Sequence, residues 1–377
     1  MSESIGRSLY VCTTPFQIMT CISKVLTDKE EADLLVDPQF CDAESIMERL
    51  RQEHIFRRVI NTGESKRLCS IRKKEGLVRK LSLSVALVGG RRLYRDILQG
   101  EEQYSCIYAS SNNEVTRYLM NYVLKRSWDT EFAFFDDGEG SYDDNVEIGL
   151  GRNRRSFVNR LLVREIGDKS VRRYLYFPNL YRNLHPEFQG EIIQLPKWSD
   201  NESLKEVFDR LFRLNEIEDI DERFIVLDIL EREVFGEEEG DRYKQVIDRI
   251  CQSVGVENVR IKRHPRDKRV SESGVKEIKE RGVPLECLIS KFGEDEKVLI
   301  ALTSTATFLP KALLGKEYYI VLLYRLFSVN LGEEEQRDKY YEYLKNSYVD
   351  RGRVMIPGDE GELFTCIENL KALVQKG

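Results

Sequence analysis

The chain has 377 residues, 41% of them apolar and 33% charged, with a formal net charge of −6. That length exceeds one ordinary domain and suits two. The composition is that of a packed protein rather than a disordered one, and the negative charge argues against nucleic acid as a partner.

Met1 to Arg7 are polar and lead straight into a strand, so no secretory leader is expected. No apolar run approaches the ~20 residues needed to span a bilayer. Leu9–Thr14 reads as a strand and Phe16–Leu26 as a helix, followed by a strand at Ala32–Val36 and a helical pattern at Ala43–Arg51. Cys106–Ser110 and Glu131–Asp136 read as strands, with a helix from Glu114 to about Lys125 between them. Beyond a break come a strand at Phe224–Ile229 and a helix at Arg242–Val254, then strands at Val259–Lys262, Val298–Thr303 and Tyr318–Leu323. A helix near Ala306–Leu314 precedes the last of these, and Glu362–Lys376 repeats Leu363, Ile367, Leu370 and Leu373 at helical spacing. Strand and helix in alternation predict an α/β protein with parallel sheets covered on both faces. The boundary between two Rossmann-like αβα domains is expected within Leu195–Asp221, which gives 1–200 and 201–377. Ser203 is a candidate cap for the helix that opens there.

Eight scattered cysteines contain no Cys-x-x-Cys pair and are expected as reduced core thiols in a cytoplasmic protein. Only three histidines, His54, His185 and His264, are present, too few for a histidine-built metal centre. Two stretches are basic, Lys66–Lys80 and Arg152–Arg164. The second interleaves Phe157, Val158, Leu161 and Leu162, a pattern suited to peripheral contact with the anionic inner membrane face; a solvated helix face is the plainer reading.

Three segments carry candidate chemistry. Phe134-Phe135-Asp136-Asp137-Gly138 ends an apolar strand in two carboxylates and a glycine turn. Functional groups of parallel α/β sheets collect at such strand ends, and a carboxylate there can take a proton from a hydroxyl. Read alone, the same residues make an ordinary turn, and Asp136-Asp137 with Asp143-Asp144 would also suit Mg²⁺. Arg260-Ile261-Lys262-Arg263-His264-Pro265 ends a strand in a histidine among cations, a place for an anion such as phosphate or for a surface turn. Leu302-Thr303-Ser304-Thr305 puts hydroxyls where a strand gives way to a helix, which serves either anion binding or capping. Glu286, after Pro284, is placed to bind a ribose diol or simply to face solvent.

The order of these pieces, acidic-Gly, His-Pro, Pro-x-Glu and Ser-Thr, resembles the bacterial sialyltransferase superfamily. Tyr10-Val11-Cys12-Thr13-Thr14-Pro15-Phe16-Gln17 is similar to that group's first strand and turn, and points to glycosyltransferase family 52, the lipooligosaccharide sialyltransferases. The Asp-Asp-Gly-x-Gly-Ser-Tyr form is similar to the bacterial polysialyltransferases. The resemblance implies a GT-B fold, two Rossmann-like domains facing a central cleft, with acceptor bound by the first and CMP-sugar by the second. It implies Asp137 as general base and His264 as acid or electrostatic partner of the donor phosphate. Ser304, Thr305 and Pro265 would meet that phosphate and Glu286 the cytidine ribose, with Asp136, Gly138 and Thr14 on the acceptor side. Asp228 and Asp241 are reserve candidates for the base. The implied reaction is inverting transfer of sialic acid from CMP-sialic acid to a sugar hydroxyl of a surface glycan. A CMP-sugar carries one phosphate, so neither a metal nor another cofactor is called for. Related transferases using CMP-Kdo, CDP-glycerol or a nucleotide-hexose, and a catalytically retired glycan-binding protein, are the alternatives.

Overall fold

The computed structural model describes residues 7–63, 104–110, 130–142, 170–230, 234–267, 274–293, 296–328 and 334–374. The helix expected at Glu114–Lys125, both basic stretches, Cys69 and the Asp143-Asp144 pair lie outside them. The chain divides into two compact units, Met1–Pro196 and Lys197–Gly377.

The first unit contains β1 (Ser8–Cys12), α1 (Pro15–Asp28), β2 (Ala32–Val36), α2 (Ala43–Gln52), β3 (Arg58–Asn61), β4 (Cys106–Ala109), β5 (Glu131–Phe135), β6 (Ser170–Leu175), α3 (Pro178–Leu184) and β7 (Glu191–Gln194). Its seven strands pair in the order β3-β2-β1-β4-β5-β6-β7, every pair parallel. Leu9, Val11, Leu34, Ile107 and Phe132 are fully or almost fully buried, as expected for strands covered on both faces. Ile18, Ile22 and Val25, spaced four and three apart on α1, bury one helix face.

The second unit contains α4 (Glu202–Phe212), β8 (Phe224–Leu227), α5 (Glu237–Val254), β9 (Val259–Lys262), β10 (Lys276–Glu277), α6 (Leu285–Leu288), β11 (Val298–Ala301), α7 (Leu309–Leu314), β12 (Tyr319–Leu322), α8 (Glu334–Ser347), β13 (Val354–Met355) and α9 (Glu360–Val374). Its six strands run β10-β9-β8-β11-β12-β13, again all parallel. Numbered from its own first strand, this sheet has the 3-2-1-4-5-6 order of a dinucleotide-binding fold, and the first sheet begins with the same six. Each reverses direction beside its first strand, between β1 and β4 and between β8 and β11. The crevice at the carboxyl ends of those strands is where such folds hold ligands.

Helix boundaries differ from the sequence expectation where side chains compete. Asn201, not Ser203, caps α4: its side chain accepts from the Ser203 amide at 3.1 Å, which places Ser203 inside the first turn. Asp241, expected before a helix, sits on the exposed side of α5. Leu363, Ile367 and Leu370 of α9 are buried, while Leu373 is 54% exposed because the helix runs past the core. Among the described residues, no helix is long and apolar enough to cross a membrane.

Candidate functional site

In the first unit the site grows from the ends of β1 and β5. After β1 the chain turns at Thr13 and enters α1 through Thr14, whose extended backbone (φ −127°) makes it the N-cap, with Pro15 pre-setting the first turn. Thr14 Oγ1 accepts from the Gln17 amide at 3.3 Å, and Gln17 Oε1 accepts in return from the backbone N–H of Thr14 at 3.3 Å. This is a reciprocal capping box. Gln17 Oε1 also accepts from the Thr13 N–H at 2.5 Å and the Thr13 hydroxyl at 3.2 Å. Three donors around one oxygen fix which way the amide points. Gln17 is 1% exposed, and its Nε2 has no hydrogen-bond partner among the described residues.

The end of β5 supplies the carboxylates, and the two neighbours have different fates. Asp136 is fully buried. Its Oδ1 accepts from the Gly138 N–H at 2.8 Å, and its Oδ2 from the Tyr176 N–H at 3.0 Å and from the Tyr142 hydroxyl. Burial pushes its pKa up to about 6, against the pull of those three donors. Both oxygens of Asp136, expected on the acceptor side, are therefore occupied in holding the turn. Gly138 takes φ +95°, a conformation that favours glycine. The turn closes with the Asp137 N–H donating to Ser141 Oγ at 2.8 Å.

Asp137 is exposed, the one of the pair that reaches solvent. Protein atoms crowding its carboxyl push the pKa up to about 7, Asp136 adds to the rise, and the Gln17 amide opposes it. An exposed carboxylate keeps part of its water, so the direction of this shift, more than its size, is what the chemistry uses. An exposed carboxylate near neutrality at a strand's carboxyl end can accept a proton from a hydroxyl.

In the second unit β9 ends at Lys262, two residues before His264, which lies in the following turn with Pro265 rather than on the strand. Arg263 is held in ion pairs to Asp228 at 3.1 Å, Asp267 at 3.4 Å and Glu277 at 2.6 Å. Asp228, a reserve base, is thus engaged as a partner of Arg263. His264 Nδ1 accepts from the Arg266 N–H at 3.2 Å, which assigns the ring proton to Nε2. Partial burial, then Arg266 and Lys262, bring its pKa down to about 4. The ring is neutral at pH 7 and donates through Nε2–H.

Glu286 lies on α6 and is buried. Desolvation pushes its carboxyl up to about 7, and Lys262 opposes the rise. Lys262 thus acts on both His264 and Glu286, and its Nζ is placed by the carbonyls of Arg263 at 3.4 Å and Arg281 at 3.0 Å. Past β11 the expected helix opening is instead a 3₁₀ turn, Thr305–Thr307, followed by the six-residue α7. The Thr305 hydroxyl is 2.9 Å from that of Tyr340 on α8, so it ties the turn to a helix. The Ser304 side chain makes no cap bond.

The structure therefore gathers Thr14, Asp136, Asp137 and Gly138 at one sheet end of the first unit, and joins His264 to Glu286 through Lys262 in the second. Gln17 and Lys262 carry these groupings, and neither has a role in the sequence reading. The Thr14-x-x-Gln17 spacing was the available signal for the first.

No family model matches the chain, and no curated protein matches it. Among solved structures it is similar to TcCGT1 in complex with UDP, at 9% identity and a TM-score of 0.46, over 98% of this chain and 90% of that one. A UDP-glucosyltransferase from Polygonum tinctorium gives 10% identity and a TM-score of 0.44, over 98% and 94%. UGT2 of Phytolacca americana, without ligand, gives 8% and 0.45, over 98% and 90%.

Proposed function

We infer that the protein is a glycosyltransferase, and that it moves sialic acid from a CMP-linked donor to a glycan hydroxyl with inversion at the anomeric carbon. The observation that carries this reading is Asp137: an exposed carboxylate with its pKa raised to about 7, placed on a rigid turn at the end of a parallel strand. In the proposed step Asp137 takes the hydroxyl proton of the acceptor. The acceptor oxygen bonds to the anomeric carbon while the bond from that carbon to the phosphate oxygen breaks, and its electron pair leaves with CMP. His264, neutral and protonated on Nε2, donates a hydrogen bond to the phosphate as charge develops there. Ser304 is a second donor for the same oxygens, and Glu286 is assigned to the ribose. A phosphate met by neutral donors and by Lys262 needs no divalent cation, so activity is expected to survive chelation. The order of the Asp-Asp-Gly, His-Pro and Ser-Thr segments favours a CMP-sialic acid donor. Other CMP- and CDP-activated donors fit the same groups and form the second reading.

The test is incubation with CMP-sialic acid and a panel of galactosides, read by mass spectrometry, with Asp137→Asn as control. A product of the mass of the acceptor plus one sialic acid, lost in the variant, is expected. Transfer from CMP-Kdo or CDP-glycerol alone would move the assignment to the second reading. Saccharide binding with no transfer from any donor would overturn both.

A further inference from the structure

We propose that Gln17 is the positioning residue of Asp137: its Nε2 is the hydrogen-bond donor reserved for the Asp137 carboxylate when the site is engaged. Three facts carry this. The amide is fixed, because the N–H groups of Thr13 and Thr14 and the Thr13 hydroxyl all point at Oε1. The amide is buried, with Gln17 1% exposed, and among the described residues Nε2 is left without a hydrogen-bond partner. An amide nitrogen carries two protons and accepts none, so a buried one without a partner is unfavourable unless the protein has a use for it. Finally, the group on which that amide acts is Asp137, whose carboxyl it pulls toward the ionised form.

The consequence is geometric as well as electrostatic. Asp137 is exposed, and an unrestrained carboxylate at a loop would sample several rotamers. Its main chain is held by the bond from its N–H to Ser141 Oγ, while among the described residues Gln17 is the side chain that acts as a donor toward its carboxylate. Since Gln17 is anchored on the first turn of the fourteen-residue α1, the sheet crevice itself sets the carboxylate's direction. The charged group acting on Asp137 among the described residues is Asp136 on the same turn, which raises its pKa; from the packed helix the contribution is the uncharged Gln17.

This inference rests on the reading of Asp137 as base only for its meaning in catalysis; the coupling itself is tested without turnover. The full chain is labelled with ¹³C at aspartate side-chain carboxyls, and the Asp137 resonance is assigned by its absence in Asp137→Asn. Its titration is then followed in wild type, Gln17→Glu and Gln17→Met. Glutamate keeps the capping box, so that variant retains the helix start and its melting temperature, and it replaces the donor by a carboxylate oxygen. The Asp137 midpoint is expected to rise by about one unit or more, a tenfold change in proton affinity. Gln17→Met, which removes the donor without adding charge, should move it the same way by less. An unmoved midpoint in folded Gln17→Met overturns the proposal, as does an unmoved midpoint in Gln17→Glu. In parallel, the acid limb of kcat/KM should follow the same shifts. If Asp137→Asn transfers sugar normally, the catalytic reading fails while the titration still decides the role of Gln17.

Discussion

Asp136 offers the sharpest test of how the turn is built. Its carboxylate collects two backbone N–H groups and the Tyr142 hydroxyl in a fully buried place. An asparagine there can present only one oxygen. With that oxygen toward Tyr142 and Tyr176, its amide nitrogen faces the Gly138 N–H, donor against donor; flipped, it faces the Tyr176 N–H. Either way one buried backbone N–H loses its acceptor, which costs about 1–3 kcal/mol. Alanine removes all three bonds and should cost about 3–5 kcal/mol. For a unit of this size those values correspond to losses in Tm of about 2–12 °C for Asp136→Asn and about 6–20 °C for Asp136→Ala. The pH of the measurement matters. Burial raises the folded pKa of Asp136 to about 6, so folding holds this proton more tightly than the unfolded chain does. That contribution is complete below pH ~4 and is lost as pH rises through about 6. At pH 7.5 the wild-type carboxylate is ionised and bears a cost that asparagine and alanine escape, so melting by circular dichroism is compared near pH 4, where that cost is absent. Asp136→Ala melting within about 1 °C of wild type would refute the claim that this carboxylate holds the turn.

Other outcomes follow from the same groups. Asp137→Asn should lower turnover by about 10²–10⁴-fold while leaving CMP affinity intact, and wild-type kcat/KM should fall about tenfold per pH unit below about 7, where the base becomes protonated. His264→Ala should weaken CMP binding by isothermal calorimetry; because its pKa is held near 4, wild-type CMP affinity should show no histidine titration between pH 5 and 8. Glu286 has a folded pKa raised to about 7, so it stabilises the fold fully below pH ~4.5 and loses that contribution as pH rises through 7. Glu286→Gln should therefore melt higher than wild type at pH 8, by the equivalent of up to about 3 kcal/mol, and the gain should shrink to under about 1 kcal/mol at pH 5 and vanish below about pH 4. Thr14→Ala removes one half of the capping box and should cost about 1 kcal/mol, read as a lower urea midpoint with unchanged slope.

The central strands were legible because burial on both faces writes them as continuous apolar runs: the sequence reading of β2 and β9 has the observed limits, and β1, β5, β8, β11 and β12 differ by one or two residues. Their predicted ends overran for a chemical reason. Thr13, Asp136 and Asp228 extend the pattern, but their side chains serve the capping turn, the glycine turn and the Arg263 ion pair. The strands the sequence hid are edge or charged ones. In β6 the adjacent Arg172 and Arg173 interrupt any apolar pattern. Arg172 reaches Glu131 on β5 at 2.9 Å and Glu191 on β7 at 3.3 Å, a ladder across three strands. Arg173 lies over the rings of Tyr181, Phe188 and Phe134 at 4.8, 5.2 and 5.7 Å. Neither compensation is local in sequence, so neither could be read from it. The same holds for the site: the acidic and His-Pro segments stand out by composition. The roles of Gln17, Lys262 and Tyr340 arise only when separate strands and helices are brought together.

The adjacent carboxylates show which force sets the site's chemistry. Both are raised, Asp136 to about 6 and Asp137 to about 7, and burial of the carboxyl group is the first cause in each. Their donors differ: three fixed hydrogen bonds hold Asp136 toward its ionised form, and among the described residues the Gln17 amide does so for Asp137. A turn that spends its backbone N–H groups on one carboxylate leaves the next one undersupplied, basic and open. This division lets two identical side chains in sequence serve two purposes, one as a strut and one as a proton acceptor. It also makes the outcome sensitive to a single amide: a change at Gln17 should be felt at Asp137 before any change at Asp136, whose donors all come from elsewhere.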